Sequence, residues 1–193
     1  GFCNGQGNAM RMELLFAGRF EEYLDEAAMR GHPCIFVHVP KTAGTSLRNE
    51  LAQLLRPELN IMVDYKDTTR SFHEKMDLAV AAFLDRHAAD PLRFASGHVL
   101  GRHVEQIRAA LPYARLVTFL RDPVARLVSD YRYQRSPKHP VHAEFAARNP
   151  DLATYVEVAT ERNKMAQHLL PAELLASGDA RRCVDYLLGT YAF

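Results

Sequence analysis

An apolar run, Cys34-Ile35-Phe36-Val37-His38-Val39, passes directly into Pro40-Lys41-Thr42-Ala43-Gly44-Thr45-Ser46 and then into a helix-like stretch through Leu55. Few architectures accommodate that order. A short apolar run rich in β-branched and aromatic residues, stopped by a proline, reads as a buried strand, and a strand feeding a helix through a tight loop opens a parallel β-α-β unit. The loop also carries anion chemistry. Backbone N–H groups at a helix start lack intrahelical partners and sit at the positive end of the helix dipole, so a phosphate there meets several donors together. Lys41 adds a full charge, Gly44 lets the backbone come close, and Thr45 and Ser46 supply hydroxyls. The order differs from the Walker pattern, in which glycines precede the lysine and the hydroxyl right after it holds magnesium. An ordinary strand-to-helix turn with a solvated lysine is the bland alternative.

A second segment repeats the arrangement. Leu116-Val117-Thr118-Phe119-Leu120 reads as a buried strand, and Arg121-Asp122-Pro123 turns the chain into a helix carrying Arg126, Ser129 and Tyr131. Asp122 suits an N-cap and Pro123 a first helical residue, so helix initiation explains both. It leaves Arg121 over, a permanent cation at the carboxyl end of an apolar strand, where ligands of open α/β sheets bind. Ser129 follows after a little over two helical turns, so its hydroxyl meets the same anion only if the loop folds back.

Between the two lies a candidate base. Arg93-Phe94-Ala95-Ser96 reads as a short strand with Gly97-His98 at its end, and a histidine there is either a hydrogen-bonded structural residue or a proton acceptor. His38 reads as a strand residue in a structural role. For His32, His73, His87, His103, His139, His142 and His168, solvent exposure is the default expectation for most.

Pro40 to Ser46 resembles the 5′-phosphosulfate loop of sulfotransferases that use PAPS (3′-phosphoadenosine 5′-phosphosulfate), especially the carbohydrate and heparan-sulfate type. Leu120 to Tyr131 is similar to their 3′-phosphate motif, and the resemblance runs roughly from Pro33 to Tyr133, more weakly beyond. It implies a three-layer, P-loop-like α/β fold with a central, mostly parallel sheet covered by helices on both faces. It implies that Lys41, Thr42, Ala43, Gly44, Thr45 and Ser46 hold the 5′-phosphosulfate, and that Arg121 and Ser129 hold the 3′-phosphate. His98 is then the general base and Lys41 the group that neutralises the leaving oxygen. The implied reaction is in-line transfer of a sulfuryl group to a hydroxyl of a carbohydrate or glycoconjugate. Asn163 and Gln167 loosely resemble a family pattern, though surface helix accounts for both. Two alternatives stay open: a P-loop-type small-molecule kinase, disfavoured by the missing Walker order, and a degenerate nucleotide-binding module without turnover.

Other classes find little support. Cys3, Cys34 and Cys183 form no C-x-x-C pair, and Pro140 spoils His139 and His142 as a helical ligand pair, so no metal is expected. A net charge of +1 argues against a nucleic-acid partner, and no apolar run reaches the length of a membrane span. Few, separated cysteines point to a reducing, cytoplasmic setting, with the Golgi lumen as the setting of a chain cut from an anchored parent. Oligomeric state has no sequence signal.

Residues 1–9 lack periodicity and read as a leader or disordered, and 10–193 as one domain. The expected elements are a leading helix over 12–29, the first strand and helix, and a weak strand at Ile61–Val63. A helix capped by Ser71 and Glu74 runs to His87, then come the Phe94 strand, a helix at Val104–Leu111, the Leu116 strand and the Ser129 helix. Asp151 caps a further helix, Asp179–Leu188 is another, and Thr190–Phe193 begins a strand. Relatives usually continue with another strand and a helical tail, so an incomplete C-terminus is expected.

Overall fold

The computed structural model describes residues 32–158 and 162–192, together with Ala17, Arg19 and Glu22. The leader over 1–9 lies outside the described residues, as does the leading helix over 12–29 apart from those three. Strands β1 (Cys34–Val37), β2 (Glu58–Ile61), β3 (Phe94–Gly97), β4 (Arg115–Thr118) and β5 (Tyr191–Ala192) alternate with helices. Helix α1 is Gly44–Leu54, α2 Phe72–Ala89, α3 Gly101–Ala110 and α4 Pro123–Gln134. The chain then runs through α5 (His142–Arg148), α6 (Leu152–Val156), α7 (Lys164–Leu169), α8 (Ala172–Ser177) and α9 (Ala180–Thr190) to β5.

The five strands form one all-parallel sheet in the order β2-β3-β1-β4-β5. β1 therefore sits in the middle, and the period-2 alternation of its side chains feeds two cores. Ile35 and Val37 face Met76, Val80 and Phe83 of α2 and Val104 and Ile107 of α3, while Cys34 and Phe36 face Leu51 and Ala52 of α1. Helices thus cover both faces, as a parallel sheet with near-continuous apolar strands requires. Burial pushes the Cys34 thiol up to about 12, which leaves it an inert core residue. Among the described residues no helix is long and apolar enough to cross a membrane.

The strand ends are what position a site. Val37 lies opposite both Gly97 and Thr118, so His38, His98 and Phe119 leave the sheet along one carboxyl edge. From β1 the chain departs toward β2 and from β4 toward β5, in opposite directions, which opens a crevice between the ends of β1 and β4.

Several boundaries differ from expectation for one reason, the ladder. β4 stops at Thr118, whose Oγ1 donates to the Val37 carbonyl at 2.8 Å. Beyond Val37 there is no strand to pair with, so Phe119 and Leu120 are 38% and 49% exposed rather than buried. The weak strand falls at Glu58–Ile61 instead of Ile61–Val63 because Ile61 registers with Gly97, the last residue of β3. Three of the remaining histidines are buried rather than solvent-exposed, each closing a backbone group. His87 Nδ1 accepts from the Leu92 N–H, His103 Nδ1 from the Leu100 N–H, and His168 Nδ1 donates to the Val99 carbonyl at 2.7 Å.

Helix starts follow the local chemistry expected at Ser71, Asp122 and Asp151, and Asp179 adds a cap that the sequence reading did not name. Ser71 and Glu74 make a reciprocal capping box on α2, and Asp122, Asp151 and Asp179 accept N–H bonds at the heads of α4, α6 and α9. At Gly101 the first turn of α3 abuts the end of α7: a Cβ there would lie 1.8 Å from the Leu170 carbonyl oxygen. Because the obstacle is backbone, Gly101→Ala is expected to cost about 3 kcal/mol or more in denaturant unfolding, beyond ordinary overpacking. A loss under about 1 kcal/mol contradicts this packing.

Candidate functional site

The loop after β1 is built from strained backbone. Lys41 and Ala43 both have φ of 68°, and neither is a glycine. Left-handed residues alternating with right-handed ones turn successive N–H groups toward a common point, the nest geometry that receives anions, and such strain concentrates at ligand sites. Ala43 is the N-cap of α1 and provides no side-chain cap, and no acidic residue occupies the first turn. The donors at the head of α1 are thus left for something else. Gly44 cannot be replaced without displacement, since a Cβ would lie 2.7 Å from Phe36 Cζ and 2.8 Å from His38 Cδ2. Thr42 turns inward, buried, and its Oγ1 donates to the Val39 carbonyl at 2.9 Å, which leaves only its backbone for a ligand. Thr45 and Ser46 are exposed.

The loop after β4 touches this one. Arg121 Nη1 donates to the Lys41 carbonyl at 3.2 Å. Lys41 Nζ sits 4.0 Å from the centre of the Tyr133 ring on α4, a cation–π contact that fixes the ammonium against the second helix. Ser129 precedes Tyr133 by four residues and so shares its face of α4, half-buried.

His98 stands at the end of β3, the strand that flanks β1 on the side away from β4. Its Nδ1 lies 2.6 Å from the His38 carbonyl, which can only accept, so Nδ1 carries the proton and Nε2 keeps its lone pair. The His38 N–H returns a bond to the Gly97 carbonyl at 3.0 Å. Desolvation holds the His98 pKa below the ordinary value; the bond to His38 opposes this and the Lys164 charge adds to it. The ring is consequently neutral near pH 7, with one free acceptor. His38 is tilted against it, ring centres 4.5 Å apart, and burial, His98 and Arg48 push its pKa down to about 4. A cavity of about 290 Å³ joins these groups, lined by His38, Thr45 and Arg48 on one side and His98, Asn60 and Met76 among others on the other.

Behind His98 lies a buried ion network. Arg126 and Asp130 pair at 3.0 Å across one helical turn, and Lys164 Nζ reaches Asp130 at 3.2 Å. Burial alone would raise the Asp130 carboxyl, but Lys164 and Arg126 hold it below its usual range.

The profile of the sulfotransferase family matches residues 29–186. The chain belongs to that family. No curated protein and no solved structure matches significantly. Membership carries sulfuryl transfer with it, and the all-parallel sheet with helices on both faces agrees with the family's P-loop-like α/β fold.

Within this sulfotransferase, the sequence-predicted residues fall into two groups. Lys41, Ala43, Gly44, Thr45 and Arg121 converge at the β1–β4 crevice, with His98 opening onto the cavity that Thr45 also lines. Thr42 contributes no side chain, and no contact links Ser129 to Arg121 among the described residues. His38, read from sequence as structural, stands at the cavity wall because β1 ends one residue before it. Arg48 was missed as well; its signal was helical spacing, three residues beyond Thr45 on the same face of α1.

His38 and His168, both lowered by burial to about 4 from 6.5, have a stability consequence. Above pH 6.5 each is neutral in both states; between 6.5 and 4 the unfolded chain takes up protons that the folded chain refuses. Stability is therefore whole above that window and falls as pH drops through it. Urea midpoints are expected to decline from pH 7 to pH 4.5, and a flat profile contradicts the burial of these rings.

Proposed function

We propose that this sulfotransferase moves a sulfuryl group from PAPS to a hydroxyl of a carbohydrate or glycoconjugate acceptor. The observation that supports it most is the Arg121–Lys41 contact, which brings two cationic loops together, with a neutral histidine at the end of β3, the other neighbour of β1. The donor set suits a nucleotide with phosphates at both ends. The uncapped head of α1, with Lys41, Gly44, Thr45, Ser46 and the backbone of Thr42 and Ala43, would hold the 5′-phosphosulfate. Arg121, with Ser129 on the adjoining face of α4, would hold the 3′-phosphate.

The chemistry needs one proton acceptor and one charge sink. As the acceptor oxygen bonds to sulfur, its proton passes to Nε2 of His98, whose Nδ1–H is already committed to the His38 carbonyl. The bond between sulfur and the bridging oxygen breaks, and the electron pair leaves on the adenosine bisphosphate, where Lys41 neutralises it. A positioned base contributes roughly two to four powers of ten, and an oriented cation a comparable factor. A magnesium-dependent kinase reading loses support here, because the hydroxyl following the lysine, on Thr42, is buried and turned inward toward the Val39 carbonyl.

The test separates binding from turnover. The bisphosphate product PAP is expected to raise the melting temperature, and Lys41→Ala to abolish that rise. His98→Ala is expected to keep the PAP effect while lowering sulfate transfer roughly 100- to 10,000-fold. In the native protein the acid limb of kcat/KM should turn below pH 6.5, following the depressed His98. Absence of PAP stabilisation overturns the reading, and undiminished transfer in His98→Ala overturns the base. Stabilisation without transfer to any acceptor of a broad panel identifies the degenerate module.

A further inference from the structure

The cavity beside His98 contains one charge that no described residue on its walls neutralises. Arg48 projects from the second turn of α1; its Nε donates to Ser96 Oγ at 3.2 Å and its Nη1 to Asn49 Oδ1 at 3.1 Å. Both acceptors are neutral, and Arg48 makes no ion pair with any described residue. Ser96 is itself buried on β3 and passes its own proton to Asn60 Oδ1 at 3.2 Å, so the bond to Nε locks the guanidinium in place. Among the described residues no aspartate or glutamate lines the cavity. The other titratable groups facing Arg48 there, His38 and His98, are kept neutral near pH 7 by desolvation, while Tyr65 stands at the mouth. A partly buried guanidinium with neutral partners gains far more from a carboxylate or sulfate than an exposed one does, because its bonds to an anion are charge-assisted and can be bidentate.

The remaining wall sets the size and surface of what enters. Ile61, Val63 and Met76 form an apolar floor, and Met62, Tyr65 and Phe72 a rim that is 61%, 74% and 42% exposed. Three large apolar side chains left in water around one small opening are unusual for a folded surface and fit a site that covers a ring face. At about 290 Å³ the space takes one ring, not an extended chain.

We infer that Arg48 selects the acceptor: the ring that enters this cavity bears an anionic group, which Arg48 binds while the ring face packs on Tyr65 and Phe72. This deepens the sulfotransferase reading and rests on it for the identity of the reacting hydroxyl, but the anion preference is a property of the cavity itself. Arg48 is a specificity residue, separate from the loops assigned to the donor.

Paired probes test it: methyl β-D-glucuronoside against methyl β-D-glucoside, and 4-hydroxyphenylacetate against its amide, titrated calorimetrically with and without saturating PAP. The acid of at least one pair is expected to bind roughly ten- to hundredfold more tightly than its neutral partner. Arg48→Gln should bring that ratio to near one, Arg48→Lys should restore part of it, and both should keep the PAP-induced rise in melting temperature. Equal binding of acid and neutral partner in the native protein, or no binding of any acid at millimolar concentration, overturns the inference. Loss of PAP stabilisation in Arg48→Gln also overturns it, by assigning the guanidinium to the donor. Failure of PAP to stabilise the native protein, with the acid preference intact, counts instead against the sulfotransferase reading alone.

Discussion

The common ending of β1, β3 and β4 is the constraint from which the rest follows. The bonds from the His38 N–H to Gly97 and from Thr118 Oγ1 to Val37 stop three neighbouring strands in line. Every loop that carries a reactive or charged group then leaves from the same edge. Gly97 is part of this arrangement, since a Cβ on it would lie 2.7 Å from the Ile61 carbonyl oxygen, and so is Gly44, which lets α1 close over His38 and Phe36. Had the register between β1 and β3 slipped by one residue, the slipped strand would have turned its side chains to the opposite face of the pleat.

Charge placement at that edge is asymmetric. Lys41 and Arg121 at the loops after β1 and β4, and Arg48 in the cavity, have backbone oxygens, neutral side chains and an aromatic ring as their partners. Deeper in, Arg126 and Lys164 both pair with the buried carboxylate of Asp130. An unbalanced cluster of cations costs stability in the absence of a ligand and is repaid by an anion, so the mouth is poised for binding and the interior for support. The histidines fit the same pattern. Protonation would add to the cationic field, and desolvation beside Arg48 and Lys164 keeps both His38 and His98 neutral.

Much of this was legible in the residues. The strand-loop-helix order around Lys41 and around Arg121 pointed to the fold class, and Ser71, Asp122 and Asp151 announced their helices because capping is local chemistry that tertiary context seldom overrides. What stayed hidden depended on partners distant in sequence. The end of β4 is decided by where β1 stops, so Phe119 and Leu120 looked like core. His103 is buried by α2 through Asp77, and His168 by the Val99 carbonyl, neither of which a linear reading can bring near. The inward turn of Thr42 was also hidden, since the Val39 carbonyl that receives its hydroxyl is set by how the loop folds. Arg48 drew no reading, because the Ser96 hydroxyl that holds its guanidinium lies far along the chain.

The central claim is that the loops after β1 and β4 grip opposite ends of one nucleotide. Calorimetric titration of native protein and Arg121→Ala with PAP and with 5′-AMP, which lacks the 3′-phosphate, tests it most directly. The account predicts that Arg121→Ala weakens PAP roughly tenfold or more while sparing 5′-AMP, since one charge-assisted contact is removed and the head of α1 is untouched. An equal loss for both nucleotides, or a loss for neither, would contradict it.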